Sequence, residues 1–159
     1  SEMKSVEQKI DDIIRHIDHV KDNCLLLGER LVNLGKKDMG RLLIANGFIH
    51  DNSKFYGVEW DYLNDQTGSE ELLQIAVSQH NRTNPHHPEY WGGIEAMPSL
   101  YVAEMVCDWK ARANEFGTSL QDWIEDGAAK KFEYHVDSEV YRKIIYYSNI
   151  LCDKPFNRV

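Results

Sequence analysis

The sequence predicts an all-α protein that forms one domain over residues 1–159. Apolar residues recur at three- and four-residue steps through most of the chain, as they do on the buried faces of helices. Strand-like alternation of apolar and polar residues is weak throughout. A chain of 159 residues with 42% hydrophobic residues can bury one sizeable core. We therefore expect a single bundle of about six to seven helices.

The first two helices follow from the apolar spacing and its end signals. Apolar residues from 6 to 31 indicate one amphipathic helix, which Gly28 can interrupt. Asp38 is expected to cap a second helix that ends at Ile49. A third, short helix is expected over residues 58–63.

The middle of the chain is expected to contain one helix and one loop. The run Thr67-Gly68-Ser69-Glu70 has the spacing of a capping box and predicts a helix from Glu70 to His80. Prolines then exclude regular structure, so residues 81–98 are predicted to be a loop.

Three features predict helices in the C-terminal part. Apolar spacing indicates a helix over residues 100–116, and Ser119 can cap another that Gly127 stops. A last helix is expected over residues 138–152.

Composition excludes some classes of partner. The net charge of −8 argues against broad binding to nucleic acid or to an anionic membrane, because both need clustered basic residues. A small phosphorylated substrate stays open, since a bound divalent metal reverses the local field. The three cysteines are an odd, scattered set, which favours a reduced, cytoplasmic protein. No signal peptide and no apolar run long enough to span a membrane are evident.

The histidines give the best clue to function. Four of the seven lie within residues 50–87, and His50 is followed directly by Asp51. Imidazole and carboxylate groups together are common ligands of divalent transition metals. An isolated His-Asp pair can also be an ordinary helix end. Lys54 adds a cation within one turn, so the segment can bind an oxyanion beside a metal.

The first helix carries two histidines that differ in helical phase. His16 borders the apolar stripe and is predicted to face inward, where it can reach a buried site. A core-edge histidine with a hydrogen-bond partner is the alternative reading. His19 has charged neighbours and is predicted to face water.

Acidic residues on the 100–116 helix extend the candidate site. Glu104 and Asp108 are four residues apart and share one face. A solvated acidic face is the common alternative, but small Ala111 one turn later favours Asp108 as a functional group. Glu104 is expected to be a structural partner. Arg82 and Trp91 accompany His80, His86 and His87 in a segment that is predicted to form a pocket wall.

The order of these motifs resembles the HD-domain superfamily of metal-dependent phosphohydrolases over residues 10–116. A histidine on an early helix, a His-Asp pair and a later aspartate match His16, His50-Asp51 and Asp108. The strings HDNSK, a single histidine and HHPEYW also resemble the HD-GYP cyclic-dinucleotide phosphodiesterases. The chain has no Gly-Tyr-Pro motif, and its histidine spacing is shorter. It is most similar to small phage and bacterial HD-like proteins with HDxSK, HHPEYW and EMxCDW strings.

This resemblance implies an all-helical HD-like bundle that binds one or two divalent ions (Mn, Fe, Co, Ni, Zn or Mg). One ion would be held by His16, His50, Asp51 and Asp108, and a second by Asp51, His80, His86 and His87. Asp51 would bridge the ions and hold the nucleophilic water, while Lys54 and Arg82 would bind phosphate oxygens. The implied substrate is a small phosphorylated molecule, with a nucleotide favoured and Tyr90 or Trp91 available to stack on its base.

Two alternatives remain open. The same scaffold carries di-iron oxygenases, which iron content and oxygen consumption would reveal. The pocket can also capture a nucleotide without turnover, in which case ligand would copurify without product.

Overall fold

The computed structural model describes residues 4–63 and 69–153. The helices are α1 (Val6–Asn33), α2 (Lys37–Ile49), α3 (Gly57–Tyr62), α4 (Glu70–Thr83), α5 (Ser99–Phe116), α6 (Leu120–Asp122), α7 (Ala128–Phe132) and α8 (Glu139–Cys152). A π-helical turn, Trp123–Gly127, joins α6 to α7, and 3₁₀ turns lie at Asn52–Phe55, Pro88–Trp91 and Ile94–Ala96. The two described ranges contain no strand. With α6 and α7 counted as one continuous helix, the predicted all-α bundle of six to seven helices is confirmed.

Helix α1 is the long frame of the bundle. Ser5 caps it in a reciprocal capping box with Gln8, so two otherwise unpaired backbone donors are satisfied. Its buried stripe consists of Ile13, His16, Val20, Cys24, Leu27 and Leu31. His16 lies within this stripe and is 3% exposed, so the predicted inward phase is confirmed.

Helices α1 and α2 approach each other closely through facing glycines. A Cβ added at Gly28 would lie 2.5 Å from Ile44 Cγ1 and 2.7 Å from the Gly40 carbonyl oxygen. A Cβ at Gly40 would lie 2.7 Å from Val32 Cγ2. The sequence predicts that Gly28 can interrupt α1, but the helix continues through it. The absence of a side chain at Gly28 instead lets α2 pack closely against α1.

Helix α5 runs through the centre of the core. Val102, Ala103 and Val106 are fully buried, and the helix packs against α1, α2 and α8. It ends at Gly117, whose φ of 66° is readily adopted by glycine. This central position places the other face of α5 against the candidate site.

Several predicted helix ends differ from the structure. Helix α2 begins at Lys37 with no side-chain cap, and Asp38 lies in its first turn. Ser69 caps α4 by accepting a hydrogen bond from the Leu72 amide, whereas Thr67 and Gly68 lie outside the described residues. Gly127 does not stop the helix that Ser119 caps, because the wide π turn carries the backbone on to Phe132.

The segment predicted as a loop over residues 81–98 is partly helical. Its first three residues complete α4, because Pro85 lies beyond the end of the helix and interrupts nothing in it. Two 3₁₀ turns follow, Pro88–Trp91 and Ile94–Ala96.

Two composition-based expectations can be compared with the fold. Within the described ranges, no helix combines the length and the apolar character needed to cross a membrane. Cys24, Cys107 and Cys152 form no disulfide with one another.

Candidate metal centre

Four parts of the fold bring the predicted ligands into one buried cluster. They are the middle of α1, the turn after α2, the end of α4 with the segment that follows it, and one face of α5. The ligand atoms form three overlapping groups, each spanning no more than 4.8 Å: Asp51, His80, His86 and His87; His16, His50 and Asp51; and His50, His86 and Asp108. All seven predicted metal ligands therefore lie in the cluster.

The turn after α2 directs both His50 and Asp51 into the interior. His50 leaves the helix in an extended conformation, with φ −54° and ψ 130°. Asp51 then adopts the left-handed region, with φ 57° and ψ 22°. Aspartate tolerates this region better than most residues with side chains. Both side chains are nearly completely buried.

The Asp51 carboxylate is the centre of the cluster. Its Oδ1 lies 3.2 Å from His80 Nε2 and 3.1 Å from His86 Nε2. Its Oδ2 lies 3.5 Å from His16 Nε2 and 3.4 Å from His50 Nε2. One carboxylate thus contacts imidazoles from both of the ligand sets expected for two ions.

Asp108 closes the cluster from α5. Its Oδ1 lies 2.9 Å from His16 Nε2, and its Oδ2 lies 3.7 Å from His50 Nε2 and 3.6 Å from His86 Nε2. The side chain is buried. The alternative of a solvated acidic face on α5 is therefore excluded for this residue.

Glutamates hold the outer nitrogens of four histidines. Glu104 Oε2 lies 2.9 Å from His50 Nδ1 and 3.0 Å from His86 Nδ1. Glu115 Oε1 lies 2.9 Å from His16 Nδ1, and Glu59 Oε1 makes a short contact with His80 Nδ1. An ionised carboxylate only accepts hydrogen bonds, so each Nδ1 donates and each Nε2 turns towards the cluster. Carboxylate partners of this kind orient metal-binding histidines.

Hydrogen bonds fix the segment that carries His86 and His87. Asn84 Nδ2 donates to the His80 carbonyl at 2.9 Å and to Ser53 Oγ at 3.0 Å. The indole of Trp91 donates to the Pro85 carbonyl at 2.8 Å. Because Ser53 follows the His50-Asp51 turn, these bonds tie the two ligand-bearing segments together.

The inner atoms of the cluster have the chemistry of a metal site. Among the described residues, six of them are buried and make no well-formed hydrogen bond, although most lie close to an opposite charge: the Nε2 atoms of His16, His50, His86 and His87, and the Oδ1 atoms of Asp51 and Asp108. Unsatisfied buried polar atoms are costly and rare. Here they converge on one point with the donor types that divalent transition metals prefer, so the residues fit a metal.

Charges within the cluster shift several pKa values. Burial alone would raise the pKa of Asp51, but the charges of His50 and Lys54 hold it well below its usual range. Burial opposes the charged form of His80, yet hydrogen bonds to Asp51 and Glu59 raise its pKa to about 9. Burial and the charge of His86 lower the pKa of His87 to about 3. In the ion-free protein, His87 thus offers a neutral imidazole while His80 carries a proton.

Lys54 lies at the edge of the cluster and is itself buried. Its Nζ is 3.1 Å from Asp51 Oδ2, and the residue is only 6% exposed. The ammonium borders a cavity of about 310 Å³ whose lining also includes Asp51, His80, His87 and Asp108. An anion that enters this cavity therefore meets the candidate ligands and a buried cation together.

Arg82 lies outside the cluster, contrary to its predicted role at the reacting phosphate. Helix α4 continues to Thr83, so a step of two residues turns Arg82 to the side opposite His80. Its side chain is exposed, and its Nε donates to the Ser78 carbonyl at 3.3 Å. It borders a separate cavity of about 700 Å³.

Comparison with known proteins places the chain in one family. Residues 5–148 match the family described as "Family of unknown function (DUF5662)". The chain belongs to DUF5662. No curated protein and no solved structure matches it.

Sequence reasoning missed several residues that complete the site of this DUF5662 chain. Glu115 continues the polar stripe of Glu104 and Asp108 along α5, so helical spacing could have indicated it. Arg112, whose Nη1 is 3.1 Å from Glu115 Oε2, lies on the same stripe. Glu59 comes from the short helix α3 and carries no comparable sequence signal.

His19 differs partly from its predicted environment. Its side chain is 44% exposed, yet its Nδ1 lies 3.0 Å from Glu115 Oε1. Helical phase distinguished it correctly from buried His16, but it borders a cavity instead of only facing bulk water.

Proposed function

We propose that this protein is a metal-dependent hydrolase of a phosphate ester or phosphoanhydride on a small molecule. The observation that carries this proposal is the group of buried nitrogens and carboxylate oxygens around Asp51 that make no well-formed hydrogen bond, with the buried ammonium of Lys54 beside it. A cluster of ligands alone fits many metal proteins. A buried cation that borders the same cavity favours an anionic substrate.

Two overlapping ligand sets would hold the metal. His16, His50, Asp51 and Asp108 form one set, and Asp51, His80, His86 and His87 form the other. A divalent ion there would polarise a phosphoryl oxygen and lower the pKa of a bound water to about 7. Asp51 belongs to both sets, which supports the proposal that it bridges two ions.

The chain's own residues would bind and orient the phosphate. Lys54 would donate to a phosphate oxygen from a position fixed by its contact with Asp51. Arg112 also borders the metal-side cavity and would supply a second donor group. Arg82 is displaced from the cluster, so we propose a contact with a more distant part of the substrate for it.

The organic part of the substrate would occupy the larger neighbouring cavity. This cavity of about 700 Å³ shares four lining residues with the metal-side cavity: Val77, Asn81, Lys131 and Phe132. Val77 and Phe132 provide apolar surface, while Asn81 and Lys131 provide polar groups. Such a mixture suits a nucleoside, which keeps the nucleotide prediction as a proposal.

The two aromatic residues predicted to stack on a base differ in environment. Trp91 packs against the core, and its ring centroid lies 5.7 Å from that of Tyr101. Tyr90 is 44% exposed and remains available. Phe132, which borders both cavities, is better placed for such a contact than Trp91.

The resemblance to HD-domain phosphohydrolases supports hydrolysis over the two alternatives. The structure brings together the histidines and aspartates on which that resemblance depends. The same ligands also suit iron, so an oxygenase would share the cluster. A protein that binds a nucleotide without turnover would have the same cavities.

The test is turnover of a panel of mono-, di- and cyclic nucleotides by protein supplied with Mn, Fe, Co, Ni or Mg. Lys54→Met should keep its metal but lose at least about tenfold in kcat/KM, which corresponds to about 1.4 kcal/mol of transition-state stabilisation. Lys37→Met, at an exposed position on α2, is the matched control and should retain full activity.

The outcomes separate the three functions. No turnover of any phosphorylated compound with any metal would refute the hydrolase. Oxygen consumption by the iron-loaded protein would then favour the oxygenase. Copurification of an unaltered nucleotide would favour the capture protein.

A further inference from the structure

We infer that the cavity between α1 and α5 binds a second anionic group of the substrate. This inference rests on the proposed function, because it places the reactive phosphate at the metal centre. The cavity has a volume of about 520 Å³ and touches the cluster through His16 and Lys54. It lies on the α1 side of the centre, and its lining shares no residue with the cavity of about 700 Å³ that borders Phe132.

The lining of this cavity carries more positive than negative charge. Its formally charged residues are four cations, Lys4, Arg15, Lys54 and Arg112, and two carboxylates, Asp12 and Glu115. The chain as a whole has a net charge of −8. A local excess of cations on an acidic protein attracts anions to that position.

Lys54 is paired with Asp51 and Arg112 with Glu115, so the positive charge that is available lies at Lys4 and Arg15. Asp12 alone serves two cations, with its Oδ2 2.6 Å from Lys4 Nζ and its Oδ1 3.7 Å from Arg15 Nη1. The side chain of Arg15 is 64% exposed, and that of Lys4 is 37% exposed. Both are therefore accessible to an anion in the cavity.

Two of the cations connect this cavity to the metal centre. Lys54 and Arg112 border both this cavity and the metal-side cavity. Glu115 contacts both Arg112 and His16. The residues at the boundary between the two cavities therefore also position a candidate metal ligand. A substrate that spans this boundary would have one anionic group at the metal centre and another near Arg15.

The substrate class that fits is a phosphate ester or anhydride with a second anionic group. That group can be a phosphate or a carboxylate, because ammonium and guanidinium groups bind both. The organic part would then extend to the opposite side of the centre, towards Phe132. Phosphomonoesters whose organic part is uncharged would use only part of the site.

Binding of three matched, non-hydrolysable probes to Mn²⁺-loaded protein tests the inference. They are propylphosphonate, its analogue with a terminal carboxylate and its analogue with a terminal phosphonate. Calorimetry should show at least one doubly anionic probe binding about tenfold tighter than propylphosphonate, a difference of about 1.4 kcal/mol. The carboxylate and phosphonate arms identify which anion the cavity prefers.

Variants then locate the effect. Lys4→Gln/Arg15→Gln should remove most of the affinity advantage of the doubly anionic probe over propylphosphonate. It should leave the affinity for propylphosphonate itself unchanged, because neither residue borders the metal-side cavity. Lys37→Gln/Arg41→Gln removes two exposed cations from α2 and should preserve the advantage. Equal affinities in the unaltered protein, or an undiminished advantage in Lys4→Gln/Arg15→Gln, would overturn the inference.

Failure of the proposed function gives a different result. If propylphosphonate and both analogues fail to bind the metal-loaded protein, the phosphate site at Asp51 is itself refuted. If propylphosphonate binds without any benefit from a second anion, the metal-centred site stands and only the inference about the cavity is lost.

Discussion

Replacing Asp51 with asparagine separates its proposed role as a metal ligand from its role in balancing the charge of Lys54. Asparagine is nearly isosteric with aspartate and also tolerates the left-handed backbone, so the φ of 57° can be kept. The substitution removes the negative charge that lies 3.1 Å from Lys54 Nζ. It also removes the carboxylate shared by the two ligand sets.

Two magnitudes follow from the burial of this pair. Lys54 is 6% exposed and would lose its carboxylate partner. Removing one partner of a buried ion pair costs about 3 kcal/mol or more. In a chain of this size, that corresponds to a fall of about 6–12 °C in Tm for the ion-free protein. Metal affinity should fall at least about a hundredfold, since loss of an orienting partner alone costs about 10–100-fold.

A second substitution distinguishes the two effects. In Asp51→Asn/Lys54→Met, the unpaired ammonium is gone, so the part of the stability that was lost through Lys54 should return. The metal should not return, because lysine is not a ligand in its charged form. Calorimetric unfolding of ion-free protein and elemental analysis of metal-loaded protein measure the two quantities.

Either of two results would refute this reasoning. Unchanged metal content in Asp51→Asn would show that the carboxylate is not a shared ligand. Equal stability of the single and double variants would show that the buried Lys54 ammonium does not need the Asp51 carboxylate as a partner.

Two further predictions concern the histidines. His16→Ala should lose metal, whereas His19→Ala should keep it and change stability by no more than about 0.5 kcal/mol, since His19 is half exposed; elemental analysis that shows the reverse would contradict the site. The pKa of His80 rises from 6.5 to about 9 on folding, so its protonation stabilises the ion-free protein fully below pH 6.5, and this contribution is lost as pH rises through 9. The loss, of order 3 kcal/mol, should appear in denaturant unfolding of the ion-free protein and be absent in His80→Gln; an equal pH dependence in both would count against it.

The candidate ligand residues could be predicted because most of their signals are local. His16 follows the period of the apolar stripe on α1, so helical phase alone shows that it is buried. Asp51 could be identified because it follows His50 directly at a helix end. Asp108 was indicated by its helical spacing from Glu104 and by Ala111 one turn later, and the resemblance supplied its place among the candidate metal ligands.

The misplacement of Arg82 shows where local reasoning fails. Its distance from His80 along the chain is only two residues, but the direction of its side chain depends on whether α4 has already ended. The prolines suggested an early end, although the first of them, Pro85, comes after the last helical residue and so disrupts no α4 hydrogen bond. The predicted end of α4 was three residues too early, and for that reason Arg82 was wrongly expected to lie beside His80 in the site.

By itself, the sequence determined the all-α class, the inward face of α1 and the residue types of the candidate ligands. These properties depend on periodicity and residue chemistry, which a chain carries locally. Only the tertiary structure decided which glutamate holds which histidine, because Glu59, Glu104 and Glu115 reach their partners across 21 to 99 residues. Only the packing of α1 against α5 formed the cationic cavity beside the metal centre. Such contacts depend on how whole helices are placed, and no local pattern encodes that placement.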